Sequence, residues 1–398
     1  MAVKTAIDGS LLADCERLGH IRFGMFRVAE EITKRVADDQ GISLSLVNTR
    51  QTIKDDHLLR SYVSKLNAGK KIKILSHLFA GSKIYNLQRI AVKANKTFYP
   101  GSFAGLNKYD LFHSFYFPFS ENITKSKIKK CMTLLDIIPL RHEGYPQLVE
   151  LTKSIVESIV PNFGIAISQF SKEDICDYDK RIDPQRIFVV PLAADKTLFY
   201  KNTSKEDWQR VKKKYGLPDN YFLSISGLDK RKNLEHLIYS FNKLVQQQNT
   251  EDLHLVMTGN VSFENTLFHE LDIAKTTKDK IIFAKSIEEA DLSIVYSNAL
   301  CFFFMSRYEG FGLPALEAMQ CATPVVTSNA TSLPEVVGEA GVMLPPEDGD
   351  ALCSTMWKIY NDSELRSRLS MLGLKRAEVF SWEKCADAYK AIFKQIGA

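Results

Sequence analysis

The sequence predicts an α/β protein made of two doubly wound parallel-sheet domains, and three observations support this prediction. The chain has 398 residues, enough for two or three domains at about 100–200 residues each. Its 45% hydrophobic and 25% charged residues are typical of a globular protein and exclude a disordered, collagenous or coiled-coil chain. Short β-branched runs alternate with longer helical patterns, as expected where helices connect parallel strands.

The predicted strands fall into two series separated by a polar stretch. Gly216 and Pro218 interrupt regular structure in that stretch, so we place the boundary within residues 196–218. We predict an N-terminal domain of residues 1–195, a C-terminal domain of residues 196–380, and a final helix, 381–398, that packs back on the first domain. The first series of strands is 3–7, 44–47, 111–114, 130–135, 163–167 and 187–190, and the second is 221–225, 254–258, 281–284, 299–305, 324–327 and 341–344.

Cysteine usage and hydropathy indicate the compartment. The seven cysteines are scattered and never form C-x-x-C, which argues against a disulfide framework or a structural zinc site and favours a reducing cytosol. No apolar run approaches the roughly 18 residues of a membrane span, and the N-terminal segment lacks the apolar core of a secretory signal. We therefore expect a soluble, cytoplasmic protein.

The net charge of +5 is unevenly distributed. Residues 1–195 carry 28 Lys and Arg against 21 Asp and Glu, whereas the remainder carries 24 against 26. Residues 57–109 contain ten Lys or Arg, several aromatic residues and no acidic residue. This basic region is either a solvated face over ordinary core aromatics or a surface that contacts an anionic membrane. No arginine-rich tract or RNA-binding motif supports nucleic acid as a partner.

The most informative motif lies in residues 299–328, where an apolar strand is followed by a short turn and a helix that opens near Pro314. Proline suits the first helical turn because its missing N–H would lack a partner there. Gly310 and Gly312 allow the backbone to approach a ligand closely, and free N–H groups at a helix start favour an anion. The turn therefore predicts a phosphate or diphosphate site.

Two glutamates flank this turn, Glu309 before it and Glu317 in the helix. A carboxylate beside a diphosphate would repel it, so we interpret both as acceptors of sugar and ribose hydroxyls. The glycines also fit the dinucleotide fingerprint G-x-G-x-x-A. That fingerprint expects an acidic residue about twenty positions later, where this chain has Ser328 and Asn329. A simple βα turn with solvated or capping glutamates is the other alternative.

The motif EGFGLPALE, from Glu309 to Glu317, resembles the signature of the retaining glycosyltransferases of family 4. Further matches are VPLAADKTLF (190–199), SISGLDKRKNLEHLIYSF (224–241) and TSLPEVVGEAG (331–341). The resemblance implies the GT-B fold, in which two Rossmann-like domains face each other across a cleft. It also implies that Glu309 lies by the donor sugar and Glu317 by the nucleotide ribose, with donor contacts from Gly310, Phe311, Gly312 and Leu313.

A basic turn, Lys230 to Lys232, precedes the helix that begins near Asn233. Cations there would neutralise a diphosphate and stabilise it as it leaves. The resemblance assigns this role to Arg231 and Lys232. The chain departs from the commonest family pattern, which has an arginine where Ser226 or Gly227 stands, so Arg231 is expected to substitute for it.

Three further site residues are implied for the N-terminal domain. Gly24 matches the family's glycine turn, which approaches the donor phosphate, and enters a predicted amphipathic helix. His113 matches a histidine near the transferred sugar, which makes it a predicted catalytic residue beside Glu309, Lys232 and Arg231. Asp136 is retained from a motif whose histidine is replaced by Leu135, and it is an acceptor-side candidate.

The implied reaction is the transfer of a hexose or deoxyhexose from a nucleotide-diphosphate sugar to a glycan or lipid-linked glycan of a surface polysaccharide, with retention at the anomeric carbon. The motifs favour a mannose-like sugar and a GDP-sugar donor, with no cofactor and no metal. The basic region then predicts peripheral docking at the inner face of the membrane. Two other classes remain open: a non-catalytic sugar-nucleotide-binding module, and a GT-B-like nucleotide-sugar epimerase.

Overall fold

The computed structural model describes residues 2–18, 24–47, 49, 53–65, 72–75, 106–227, 229–258, 273–284 and 286–398. The chain divides into two compact units. Unit 1 comprises Met1–Leu192 together with Trp382–Ala398, and unit 2 comprises Ala193–Ser381. Most of the basic region, residues 57–109, lies outside the described residues.

Unit 1 is built on a parallel sheet in which seven described strands run in the order β3-β2-β1-β4-β5-β6-β7. The sequence did not predict β3, which has only three residues and is the outermost of the described strands, within the basic region. The strands are β1 (Val3–Asp8), β2 (Ile42–Val47), β3 (Lys73–Leu75), β4 (Leu111–Ser114), β5 (Lys129–Leu134), β6 (Phe163–Ala166) and β7 (Ile187–Val189).

The helices of unit 1 cross between these parallel strands. Helix α2 has the predicted amphipathic pattern, since Val28, Ile32 and Val36 are all buried. The described helices before residue 192 are α1 (Ser10–Leu18), α2 (Gly24–Val36), α3 (Ile53–Lys65), α4 (Glu121–Lys125), α5 (Ile138–Arg141), α6 (Pro146–Ile159) and α7 (Gln169–Tyr178).

Unit 2 has a second parallel sheet, with its described strands in the order β10-β9-β8-β11-β12-β13. The strands are β8 (Asn220–Ile225), β9 (Leu253–Thr258), β10 (Ile281–Ala284), β11 (Cys301–Phe304), β12 (Val325–Ser328) and β13 (Val342–Leu344). The described helices of unit 2 are α8 (Lys205–Tyr215), α9 (Leu234–Gln247), α10 (Lys275–Lys278), α11 (Glu289–Asn298), α12 (Leu313–Gln320), α13 (Leu333–Val337), α14 (Gly349–Asn361) and α15 (Ser363–Ala377).

The last helix, α16 (Trp382–Gly397), returns the chain to unit 1. Its apolar face buries Trp382, Tyr389 and Phe393, and the hydroxyl of Tyr389 lies 2.9 Å from the hydroxyl of Thr133 on β5. The predicted fold class, two α/β units with doubly wound parallel sheets, is confirmed. Within the described part of the chain, no helix is long and apolar enough to cross a membrane.

Candidate active site

The direction in which the chain adds strands reverses between β8 and β11 of unit 2. The chain continues from β8 to β9 on one side, and β11 later pairs with the other side of β8, with Cys301 opposite Phe222. Such switch points leave a crevice at the carboxyl ends of the strands, where open α/β sheets bind ligands. Two loops leave this point, after β8 and after β11, and they contain six of the predicted site residues: Arg231, Lys232, Glu309, Gly310, Phe311 and Gly312.

A compact ion cluster lies where these two loops meet. The Nζ atom of Lys232 is 2.5 Å from Oε1 of Glu309, and Nη1 of Arg231 is 3.0 Å from the same oxygen. Nε of Arg231 also pairs with Oδ2 of Asp229 at 2.9 Å. The side chains of Lys232, Arg231 and Glu309 are only 10–13% exposed. The structure therefore brings together three of the four predicted catalytic residues.

Burial and charge act in opposite directions on this cluster. Burial alone would raise the pKa of Glu309, but the charges of Lys232 and Arg231 bring it below its ordinary value. Burial lowers the pKa of Lys232, and the Glu309 charge offsets that effect only in part. Nζ of Lys232 also lies 4.8 Å from the ring centroid of Phe304, a favourable cation–π contact. The ion pairs hold these charged groups close together in a largely buried place, an arrangement suited to electrostatic stabilisation.

The loop after β11 also holds the main chain of the basic turn. The backbone N–H of Arg307 donates to the carbonyl of Arg231 at 2.7 Å. The side-chain Nη1 of Arg307 donates to the carbonyl of Lys230 at 2.9 Å. The hydroxyl of Ser306 donates to the carbonyl of Arg231 at 3.1 Å. The other side of the Arg307 guanidinium pairs with Glu347 at 2.5 and 3.1 Å. Arg307 therefore connects both loops of the site.

Two residues of the loop after β12 form hydrogen bonds with the backbone of Glu309. The backbone N–H of Glu309 donates to the hydroxyl of Thr331 at 3.0 Å. The hydroxyl of Ser332 donates to the carbonyls of Glu309 and Phe311 at 2.9 and 2.8 Å. The motif TSLPEVVGEAG, which entered the sequence analysis only through the family resemblance, thus holds the glutamate loop in place.

Gly312 is required by the geometry of the turn. It precedes α12 with a φ of +112°, and a Cβ atom there would lie 2.6 Å from Cδ2 of Leu333. Gly310 and Phe311 are buried, and the Phe311 ring packs edge-to-face on Phe380. Leu313 begins α12, so the predicted strand, turn and helix are all present.

Glu317 lies in α12, one residue beyond the first turn. It is half-buried, and its Oε2 lies 3.4 Å from the hydroxyl of Tyr296 on α11. Glu317 therefore lies near the start of the helix that Gly312 precedes. Its predicted contact with the nucleotide ribose stays a prediction.

Gly24 and Asp136 belong to unit 1. Gly24 is the exposed first residue of α2. Asp136 follows the carboxyl end of β5, and its Oδ1 accepts a hydrogen bond from the backbone N–H of Ile138 at 3.0 Å. Their predicted roles toward donor and acceptor stay predictions.

The environment of His113 does not support the catalytic role that the resemblance implies. The ring is fully buried and packs against Phe115, Tyr389 and Phe393 with centroids 4.7–5.8 Å apart. Nε2 lies 3.1 Å from the hydroxyl of Thr133. Burial lowers the pKa of His113 to about 3. The imidazole is thus a neutral core group beneath α16, because aromatic side chains from the end of the chain cover it.

The sequence analysis missed a polar cluster at the switch point of unit 1. Asp8, the last residue of β1, is buried and accepts hydrogen bonds from the backbone N–H of Ser10 and the hydroxyl of Thr49, both at 2.9 Å. The available signal was a carboxylate directly after the first predicted strand, residues 3–7. Arg307 was missed because its role depends on main-chain contacts, which leave no pattern in a sequence.

Each unit has the strand order of a Rossmann-like sheet, as in the GT-B fold, and unit 2 has an ion cluster at its switch point. Residues 205–376 match the family model described as glycosyl transferases group 1. Residues 205–376 therefore form a domain of the glycosyl transferases group 1 family, and the predicted resemblance to GT-B glycosyltransferases is confirmed.

Two curated relatives and one solved structure agree with this assignment. The chain is 33% identical to O-antigen chain mannosyltransferase B of Escherichia coli, over 61% of this chain and 64% of that protein. It is 31% identical to the serotype-specific mannosyltransferase WbdA of Escherichia coli, over 63% of this chain and 31% of that protein. The matches thus span less than two thirds of these relatives. Anabaena HepE, solved with UDP and glucose, shares the fold with a TM-score of 0.66 at 15% identity, over 99% of this chain and 100% of that one.

Proposed function

We propose that this protein is a retaining glycosyltransferase that transfers a mannose-like hexose from a nucleotide-diphosphate sugar to a hydroxyl of a glycan or lipid-linked glycan in surface polysaccharide biosynthesis. The observation that carries the proposal is the Lys232–Arg231–Glu309 cluster at the switch point of unit 2, beside the turn at Gly312. The similarity to O-antigen mannosyltransferases supports the choice of sugar and pathway class.

In the proposed reaction, the bond between the anomeric carbon and the diphosphate oxygen breaks, and the acceptor oxygen bonds to the same face of that carbon. The acceptor proton passes to the leaving diphosphate. Lys232 and Arg231 stabilise the negative charge that develops on the leaving group, and Glu309 accepts hydrogen bonds from sugar hydroxyls. The protein's contribution is therefore positioning and charge stabilisation.

The first test is sugar transfer by purified protein supplied with GDP-mannose and a mannan oligosaccharide. We expect Glu309→Gln and Lys232→Ala to lower kcat/KM by roughly 10²-fold or more, the scale found when a preorganised electrostatic group is removed. Asp350→Asn, which alters an exposed partner of Lys243, is the matched control and should retain wild-type activity. Circular dichroism should show all three variants folded.

Near-native transfer by Glu309→Gln and Lys232→Ala would contradict the proposed site. Binding of GDP-mannose without any turnover would favour a sugar-nucleotide-binding module. Conversion of the donor in the absence of acceptor would favour an epimerase. Transfer from a UDP-, ADP- or dTDP-sugar in preference to GDP-mannose would keep the reaction class and change the donor.

We further propose that transfer needs no metal ion. The chain contains two Asp-x-Asp sequences, a pattern that can bind metal, but their carboxylates have partners within the protein. Asp177 and Asp179 pair with neighbouring cations in unit 1, while Asp348 caps α14 and Asp350 pairs with Lys243. Activity should survive EDTA unchanged. Loss of activity that Mn²⁺ or Mg²⁺ restores would contradict this proposal.

The proposed place of action is the cytoplasmic face of a membrane, where a lipid-linked acceptor would be available. The support is the basic composition of residues 57–109. Co-sedimentation should be stronger with vesicles that contain anionic lipid than with neutral vesicles. Equal co-sedimentation with both would contradict the electrostatic part of the proposal.

A further inference from the structure

We propose that unit 1 carries a binding subsite for the acceptor glycan, formed by the loop between α5 and α6 together with Tyr178. This inference rests on the proposed function, because the ligand is taken to be the growing neutral polysaccharide. It adds a site outside the cluster at Glu309, and its first wall follows Asp136, the predicted acceptor-side residue, along the chain.

The subsite is a surface pocket of about 550 Å³, within the range of roughly 300–1,000 Å³ typical of small-molecule sites. Residues 139–146 form one wall, and Val149, Lys153 and Tyr178 complete the lining. Within that wall, Gly144 has a φ of +110°, so the turn there adopts a conformation that side-chain-bearing residues rarely take. The pocket has room for one or two sugar rings.

The cations that line the pocket are already neutralised. Arg141 pairs with Asp174 at 2.8 Å and with Asp177 at 3.2 Å. Lys153 pairs with Glu150 at 2.8 Å. An anionic ligand such as a phosphate would therefore have to compete with these carboxylates, so the charge distribution disfavours it.

The Glu143 carboxylate is the exception among the charged groups of the lining. It is exposed, and in the described structure it has no hydrogen-bond or ion-pair partner. An ionised carboxylate only accepts hydrogen bonds, and its two oxygens can accept from two neighbouring hydroxyls. A vicinal diol on a sugar ring provides that pair of donors.

Tyr178 supplies an apolar surface beside this carboxylate. Its side chain is one of the few exposed large hydrophobic groups among the described residues, at 39% exposure. The guanidinium of Arg141 lies 5.6 Å from the ring centroid, and the Asp174 pair holds that guanidinium in place. A fixed, exposed aromatic ring is suited to pack against the C–H face of a sugar. Ring and carboxylate together fit a neutral, hydroxyl-rich ligand.

The subsite belongs to unit 1, whereas the Lys232–Arg231–Glu309 cluster belongs to unit 2. We therefore assign it to sugars that the acceptor chain already contains and not to the donor. Its expected effect is a preference for longer acceptors, because an additional contact contributes only when the chain reaches the pocket.

The test compares Tyr178→Ala and Glu143→Gln with the wild type, using methyl α-mannoside and a longer linear mannan oligosaccharide as probes. Titration calorimetry should show about tenfold weaker binding of the oligosaccharide by each variant, the effect of losing about 1.4 kcal/mol. Tyr178→Phe, which retains the ring, should bind like the wild type. Tyr239→Ala removes a tyrosine of unit 2 that is 54% exposed and serves as the matched control.

Transfer assays provide the second readout. Tyr178→Ala should lose the preference for the long acceptor over the short one. Unchanged oligosaccharide affinity in both variants, equal loss in Tyr239→Ala, or tighter binding of a phosphorylated sugar than of the neutral one would overturn the subsite. Absence of transfer from every nucleotide sugar would instead overturn the proposed function, while the binding titration would still test the pocket.

Discussion

Glu309 has two cationic partners, and both are distant from it along the chain. Lys232 precedes it by 77 positions, yet the two side chains meet because β8 and β11 are adjacent and parallel, so their carboxyl ends share one edge of the sheet. Removal of either cation leaves a buried carboxylate with less compensation, which costs stability as well as activity. Glu309→Gln in turn leaves the buried Lys232 and Arg231 without their shared carboxylate, so urea unfolding of each variant must accompany its activity measurement.

The buried imidazole of His113 predicts how the stability of the protein depends on pH, and not a catalytic role. Its pKa is about 3 in the folded protein and about 6.5 in an unfolded chain, so only the unfolded state takes up the proton between these values. Its contribution to stability is complete above pH 6.5 and is lost as the pH falls toward 3. In urea unfolding at pH 7 and pH 5, His113→Gln should lose about 2 kcal/mol less stability on acidification than the wild type.

The same acid-induced loss in His113→Gln as in the wild type would show that the buried imidazole is not the group that titrates.

The loops that carry the site act as connected elements, and Arg307 is their main link. Arg307→Ala removes the side-chain bond to the carbonyl of Lys230 and the pair with Glu347 but keeps the backbone bond to Arg231. Because a small displacement of catalytic groups is costly, we expect roughly a tenfold lower kcat/KM for the donor, with Arg307→Lys intermediate. Steady-state kinetics with varied GDP-mannose provides the measurement.

Lys243→Ala is the control for Arg307→Ala, since it removes an exposed ion pair with Asp350 in the same unit. Exposed pairs contribute little, so this variant should match the wild type. Equal kinetics for Arg307→Ala and Lys243→Ala would mean that Arg307 does not position the basic turn.

At the scale of the whole molecule, the last helix of the chain, α16, completes the core of unit 1. Helix α16 contributes Tyr389 and Phe393 to the aromatic group around His113, and both are fully buried. Phe393→Ala should lower the free energy of unfolding of unit 1 by about 3–5 kcal/mol, the usual cost of a large core truncation. Urea unfolding followed by tryptophan fluorescence, to which Trp382 in α16 contributes, measures this loss.

Lys390→Ala, which alters an ion pair on the outer side of the same helix, should change stability by less than about 1 kcal/mol. Similar losses for Phe393→Ala and Lys390→Ala would show that α16 does not contribute to the core of unit 1 as the contacts indicate.

Most of the fold and the centre of the site could be predicted from local patterns. Apolar runs located every described strand of unit 2 and all but β3 of unit 1. The turn at Gly312 and the charges at Lys232 and Glu309 were predictable because their chemistry lies within short segments. Arg307 and Ser332 were not predictable, since they act through hydrogen bonds to main-chain atoms of other loops.

The sequence by itself determined the two-domain α/β architecture, the glycine turn before α12 and the charged residues of the donor loops, because periodicity and turn chemistry act over a few residues. Only the tertiary structure decided which charges pair and which polar groups are buried. His113 follows a family motif yet lies in the core, because α16 folds back over β4 and β5 and places Tyr389 within 2.9 Å of Thr133, 256 positions away. Burial depends on the packing of distant segments, and no local pattern records it.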